Sequence, residues 1–158
     1  MSRSSGSNNN YKVGLATGVD IHGKAASQCA AVRGTSSMFK SGIATANWKG
    51  RRWSDGSAPF TGFHAALPPN MPSCAQGTDS TACTAITASS NHSGGVNVCL
   101  CDASVRFISD SVECGDLTQV LGRAYGWMGE GHQWTGASTG GVWGSIATPQ
   151  GNETVTLP

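Results

Sequence analysis

Ser89-Ser90-Asn91-His92-Ser93-Gly94-Gly95-Val96-Asn97-Val98-Cys99-Leu100-Cys101-Asp102-Ala103-Ser104-Val105-Arg106-Phe107-Ile108-Ser109 is the stretch whose reading decides the fold. An apolar run from Val96 to Cys101 meets the polar link Asp102-Ala103, and a second β-prone run follows from Ser104 to Ile108. Two short β-prone runs around a tight polar link read as an antiparallel hairpin. Side chains alternate along a strand, so Val105 and Phe107 face one way and Ser104, Arg106 and Ile108 the other. In the first run Val96, Val98 and Leu100 lie opposite Asn97, Cys99 and Cys101, and one face of the pair is expected to be apolar. Upstream, Asn91 to Gly95 form a turn cluster whose glycines accept positive φ.

Outward from the hairpin, the chain has 158 residues, one domain's worth. We read residues 1–10 as a flexible polar start and residues 11–158 as a single globular domain. Only 12% of the residues are charged and 22 are glycine, which favours loops, turns and short strands over long surface helices. A net charge of +1 excludes nucleic acid and anionic membrane as electrostatically steered partners. The basic run Lys49-Gly50-Arg51-Arg52 reads as a solvated loop. No segment is long and apolar enough to span a membrane, and no targeting segment is read at the N-terminus.

The six cysteines are Cys29, Cys74, Cys83, Cys99, Cys101 and Cys114. An even count points to an oxidising compartment and at least one bridge. Cys74 and Cys83 bracket a polar loop that a disulfide would close, and this pair is the expected one. Zinc is disfavoured because Cys99-Leu100-Cys101 lacks the spacing of paired ligands; on a strand, those two thiols share a face as small packing residues.

Elsewhere the chain is read in short pieces. A helix is expected over about Ala25 to Val32, docked through Ala and Val. Ile43 to Trp48 reads as a strand, Ser54-Asp55-Gly56 as a turn, and Phe60 to Asn70 as an extended segment ended by Pro68-Pro69. Asp116 is placed to cap a short helix over Leu117 to Leu121. Gly126 to Gly141 reads as a glycine- and tryptophan-rich loop, Val142 to Ala147 as a strand, and Glu153 to Leu157 as a last strand. His64, between Phe63 and Ala65, reads as a structural histidine.

Four stretches, in order, resemble one family. They are Trp53-Ser54-Asp55-Gly56 with Phe60-Thr61-Gly62-Phe63; Leu67-Pro68-Pro69-Asn70-Met71-Pro72-Ser73-Cys74; Ser90 to Asn97 through Asp102 to Ile108; and Gly141 to Thr148. Together they resemble the prepilin-like proteins that carry a signature of His, nine residues, then Asp-Gly. Nine residues lie between His92 and Asp102, and Ala103 replaces the Gly. The family's N-terminal apolar anchor helix is not read in this chain. The resemblance implies an exported, loop-rich α+β pseudopilin-like globular domain, with a short N-terminal helix packed on an antiparallel sheet. It also implies an extracytoplasmic place (periplasm, cell surface or outside the cell) and other pilin-like subunits as partners. Related pseudopilins bind calcium in a carboxylate-bearing loop after the sheet, and Asp110-Ser111-Val112-Glu113-Cys114-Gly115-Asp116 is similar in kind.

Calcium takes six to eight oxygens from carboxylates and carbonyls, so Asp110, Glu113 and Asp116 are the candidate ligands; the plainer reading is a solvated loop and a helix cap. His92 and Asp102 invite a catalytic reading, but a strand of this length sets them about 20 Å apart at about 3.3 Å per residue. His92 then anchors a turn, and Asp102 shapes its own turn through bonds to backbone. No Gly-X-Ser-X-Gly elbow or His-Glu-X-X-His motif occurs. Structural or interaction work is therefore the first reading. The alternative is a calcium-dependent hydrolase of esters or lactones, with His92, Asp102 and His132 as catalytic groups and the Trp127 to Trp143 loop walling an acyl pocket. A carbohydrate-binding module ranks last.

Overall fold

A computed structural model describes residues 7–21, 24–118 and 140–147. In chain order the elements are β1 (Leu15–Ala16), α1 (Ala25–Ala31), β2 (Thr45–Ala46), α2 (Ala58–Thr61), β3 (Cys74–Ala75), β4 (Thr84–Ala85), β5 (Gly95–Cys99), β6 (Val105–Ser109) and α3 (Gly141–Ser145). They form a small, loop-rich α+β domain with two sheets. One has the order β2-β1-β3-β4 and the other is the β5-β6 hairpin. Pairing starts as early as Asn9, whose carbonyl accepts the Phe39 N–H at 2.8 Å.

The larger sheet is mixed, not antiparallel as expected, because β1 runs parallel to β3 while the other two pairs are antiparallel. Its strands are two residues long, and alternation still divides them between two cores. Ala16, Cys74 and Ala85 face a cluster with Tyr11, Ile21, Phe39 and Leu67, while Leu15, Ala46 and Ala75 face Trp48, Phe60 and Ile86. Small side chains on the strands let both faces be covered closely, which is how so short a sheet is buried on both sides. Helix α1 follows the alanine-rich run and turns Ala25, Ala26 and Cys29 onto the first face.

There Cys29 is bonded to Cys74, with Cα atoms 5.7 Å apart. This replaces the expected Cys74–Cys83 bridge. In the β3–β4 ladder Cys74 lies opposite Ala85, and the Gln76 N–H donates to the Cys83 carbonyl. Cys83 is therefore a diagonal neighbour of Cys74, and diagonal pairs stand about 7–8 Å apart, beyond the span of a disulfide. Cys83 remains a free, partly buried thiol beside the core.

Two further expectations change. Phe60 to Asn70 is not extended throughout: Pro59 opens the one-turn α2, which buries Phe60, as suits proline at a helix start. Val142 to Ala147 is helical rather than a strand, since α3 spans Gly141–Ser145. Residues 119–121 of the expected helix over Leu117 to Leu121, residues 126–139 of the glycine- and tryptophan-rich loop, and the expected strand over Glu153 to Leu157 lie outside the described residues.

Candidate functional site

The hairpin forms where the sequence places it, with a register that differs in consequence. Val96 pairs with Ile108 and Val98 with Arg106, while Asn97 pairs with Phe107 and Cys99 with Val105. Val96 and Ile108 are buried with Val112, Cys114 and Trp143. Val105 and Phe107 fall on the opposite, outward face and are 66% and 51% exposed. The expected all-apolar face is thus split between core and surface.

The link has three residues, not two. The Leu100 N–H donates to the Ser104 carbonyl at 2.8 Å, and the Ala103 N–H to the Leu100 carbonyl at 2.9 Å. Ala103 sits at φ 65°, the left-handed residue that closes a three-residue hairpin loop. Asp102 shapes this turn, its Oδ1 accepting the Ser104 N–H at 2.9 Å. At the other end Gly94 holds φ 80°, and a Cβ on Gly95 would run into the Ile108 carbonyl.

Beneath the hairpin lies a polar hub. Asn70 is buried at φ 59°. Its Nδ2 donates to Asp110 Oδ1 at 2.7 Å and to the Gly95 carbonyl at 3.5 Å, and its Oδ1 accepts the Ser90 N–H at 2.8 Å. One amide side chain thereby ties the Pro-Pro segment, the turn before β5 and the loop after β6. Trp143 on α3 is buried and donates its Nε1–H to the Leu67 carbonyl at 3.0 Å. Its ring stacks on Phe63, with centroids 6.0 Å apart. Glu113 secures α3: Oε2 accepts the Val142 N–H at 2.9 Å, Oε1 accepts the Gly115 N–H at 2.5 Å, and its carbonyl accepts the Trp143 N–H at 3.0 Å.

A groove of about 560 Å³ runs along β5, walled by Phe63, Val96 and Val98 and by the polar residues Ser89, Ser90 and His92. At Ser89 it meets Lys49. The Lys49 Nζ donates to Ser89 Oγ at 2.7 Å and to the Lys12 carbonyl at 3.2 Å, and Ser89 Oγ donates to that same carbonyl at 2.8 Å. Burial among neutral oxygens pulls the Lys49 ammonium down from 10.5 to about 8. Sequence reading passed over this pair: the lysine belonged to a basic run and the serine to a turn, 40 residues away.

The sequence-derived site residues are dispersed. His92 is exposed at the groove rim, with its backbone N–H on Ser90 Oγ at 3.0 Å. Asp102 is at the far tip, about 17 Å of strand away at about 3.3 Å per residue. His132 lies outside the described residues. Asp110 is engaged by Asn70, Glu113 by the start of α3, and Asp116 by Thr118, whose N–H and hydroxyl reach Oδ1 at 2.9 and 2.7 Å. Among the described residues no three His, Cys, Asp or Glu side chains gather closely enough to hold a metal ion. His64 is structural: its Nδ1 accepts the Ile86 N–H at 3.1 Å, and burial lowers its pKa. Cys114, buried under the hairpin, has its thiol pushed up to about 12, first by desolvation and then by the Glu113 charge.

A disulfide-bonded α+β domain with a hairpin clamped over a tryptophan-bearing helix is the class these features define. The chain belongs to the family described as protein of unknown function DUF1559, whose model matches residues 3–115, a family associated with pilin-like and type II secretion-like proteins. No curated protein and no solved structure matches the chain.

Proposed function

We propose that the chain is the globular domain of an extracytoplasmic, pilin-like protein whose work is structural or interaction-based. One observation carries this reading. Phe63, Leu67, Asn70 and Trp143, drawn from the family-like stretches, hold the hairpin in place, and the hairpin presents Val105 and Phe107 outward, 66% and 51% exposed, as a contact surface. Exposed apolar side chains gathered on one rigid element mark interaction sites. The Cys29–Cys74 bridge accords with an oxidising compartment, and no helix among the described residues is long and apolar enough to cross a membrane. His92 and Asp102 then serve as the two ends of a structural hairpin signature, with Ala103 at the position of its Gly.

The test is association of the purified domain with pilin-like subunits, measured by sedimentation, in the wild type and in a Val105→Asp, Phe107→Asp double variant. Both positions are on the surface, so the variant stays folded and loses association. Equal association of the two proteins would remove the hairpin face from the reading. Calcium at Asp110, Glu113 and Asp116 is proposed on the resemblance alone. It requires the three carboxylates to be drawn together from their present places beside Asn70, Val142 and Thr118, and calorimetry with calcium measures whether this happens. Ester and lactone hydrolysis with and without chelator examines the metal-dependent hydrolase alternative in the same preparation.

A further inference from the structure

We propose that Ser89 and Lys49 are a nucleophile–base pair that hydrolyses neutral carboxylic esters in the groove along β5. The inference is independent of the scaffold role above and uses none of the residues assigned there to calcium or to the hairpin signature. Three observations carry it. The Lys49 Nζ and Ser89 Oγ stand 2.7 Å apart, the contact a nucleophile and its base require. Ser89, half-buried, is also one of the residues lining the groove, which puts the pair at the groove's edge. Finally, both partners of the lysine, the Ser89 hydroxyl and the Lys12 carbonyl, are neutral.

The last point decides whether the lysine can act as a base. A solvated lysine holds its proton at neutral pH, whereas Lys49, lowered to about 8, is about a tenth neutral at pH 7 and half neutral at pH 8. When Nζ is neutral it accepts from the Ser89 hydroxyl, which turns away from the Lys12 carbonyl. The Oγ attacks the ester carbonyl carbon as its proton passes to Nζ. Collapse of the tetrahedral adduct breaks the bond to the alkoxide, which takes the proton back from Nζ and leaves as the alcohol. A water molecule, deprotonated by Lys49, then attacks the acyl-serine, and the proton returns to Ser89 as the carboxylic acid is released. No metal, oxidant or further reactant is needed, and serine–lysine pairs do this chemistry on unrelated folds.

The groove sets the substrate class. Among the described residues no carboxylate, lysine or arginine lines it, and Phe63, Val96 and Val98 form its apolar wall. A neutral ester with a short apolar acyl group suits it better than an anionic one.

The experiment uses a fluorophosphonate probe followed by peptide mapping, and p-nitrophenyl acetate hydrolysis from pH 6 to 10 in chelator. The expected result is a label on Ser89 and a kcat/KM that rises about tenfold per pH unit below about 8 and levels above it. Ser89→Ala loses the label and at least tenfold of the turnover. Lys49→Met places an apolar chain in a desolvated position, keeps the fold by circular dichroism, and loses the rising pH limb. The proposal is overturned if the probe maps elsewhere or nowhere, if Ser89→Ala turns over at the wild-type rate, or if the pH limb survives in folded Lys49→Met.

Discussion

Ala103→Gly is expected to stabilise the protein. Ala103 is held at φ 65° by the two hydrogen bonds that close the loop, between Leu100 and Ser104 and between Ala103 and Leu100. A left-handed residue with a Cβ costs about 1–2 kcal/mol. Glycine removes that cost but gives the unfolded chain more freedom, which takes back about 0.4–1 kcal/mol. The side chain is exposed, so no packing is lost, and the net gain is about 0.5–1 kcal/mol. For a domain of this size that raises Tm by about 1–4 °C. Urea unfolding should show a higher midpoint at unchanged slope, since the surface exposed on unfolding is the same. Ala103→Val, bulkier at the same φ, should lower the midpoint. A destabilised glycine variant, or a valine variant equal to wild type, would falsify the left-handed turn and with it the three-residue loop.

Three other measurements probe the remaining framework. Cys29→Ser removes a bridge spanning 45 residues; the closed-loop entropy is worth about 4 kcal/mol, and a large fall in the urea midpoint is expected, whereas an unchanged one would mean that Cys29 is not bridged. Asn70→Ala strands part-buried partners at Ser90 and Asp110 and puts alanine at φ 59°, for a cost of about 2–4 kcal/mol; Asn70→Gly, which keeps the backbone comfortable, should cost less. The third is stability against pH. Lys49 titrates at about 8 folded against 10.5 unfolded, so between those values the unfolded chain binds more protons and stability rises with pH. The full penalty of its buried charge, about 3 kcal/mol, applies below pH 8. Cys114 works the other way: above its ordinary 9.0 the unfolded thiol ionises while the folded one, at about 12, does not. Unfolding free energy should climb from pH 8 to 9, flatten towards 10.5 and fall beyond it. In Lys49→Met the climb should vanish, and its persistence there would assign it to another group.

The hairpin was legible because two short alternating runs around a polar link admit few other structures. Its register was not, since alternation alone says which residues share a face and not which face the core covers. Phe107 is outside because its partner is Asn97, and Val96 with Ile108 meets Trp143. Val142 to Ala147 read as a strand because a short apolar run has no period of its own. It becomes helical because Glu113, about thirty residues earlier, accepts its first N–H groups. Disulfide connectivity likewise depends on what α1 is laid against, which spacing between cysteines does not encode. Ser89 and Lys49 fail to stand out for the same reason: each is ordinary in its own segment, and the contact exists only once the hub at Asn70 has set the chain before β5 against the loop after β2.

The division of labour among the family-like residues bears on what the domain can do. Phe63, Leu67, Asn70 and Trp143 come from three separate stretches and converge under the fourth, the hairpin, through one ring stack and a set of hydrogen bonds with buried partners. Leu67, Asn70 and Trp143 are buried and taken up with these contacts, while Phe63 also presents its ring to the groove on β5. Trp53 stands apart from this convergence, 91% exposed. The clamp leaves two surfaces open that it does not itself use: the outer face of the hairpin, apolar at Val105 and Phe107, and the groove on β5 where Ser89 meets Lys49. The groove keeps its shape through Phe63, whose ring rests on Trp143. Removing the clamp should therefore disturb both surfaces together, whereas Ser89→Ala and the double variant at Val105 and Phe107 should each alter one and spare the other. That separation lets a scaffold role and a chemical role be tested in the same molecule without either result deciding the other.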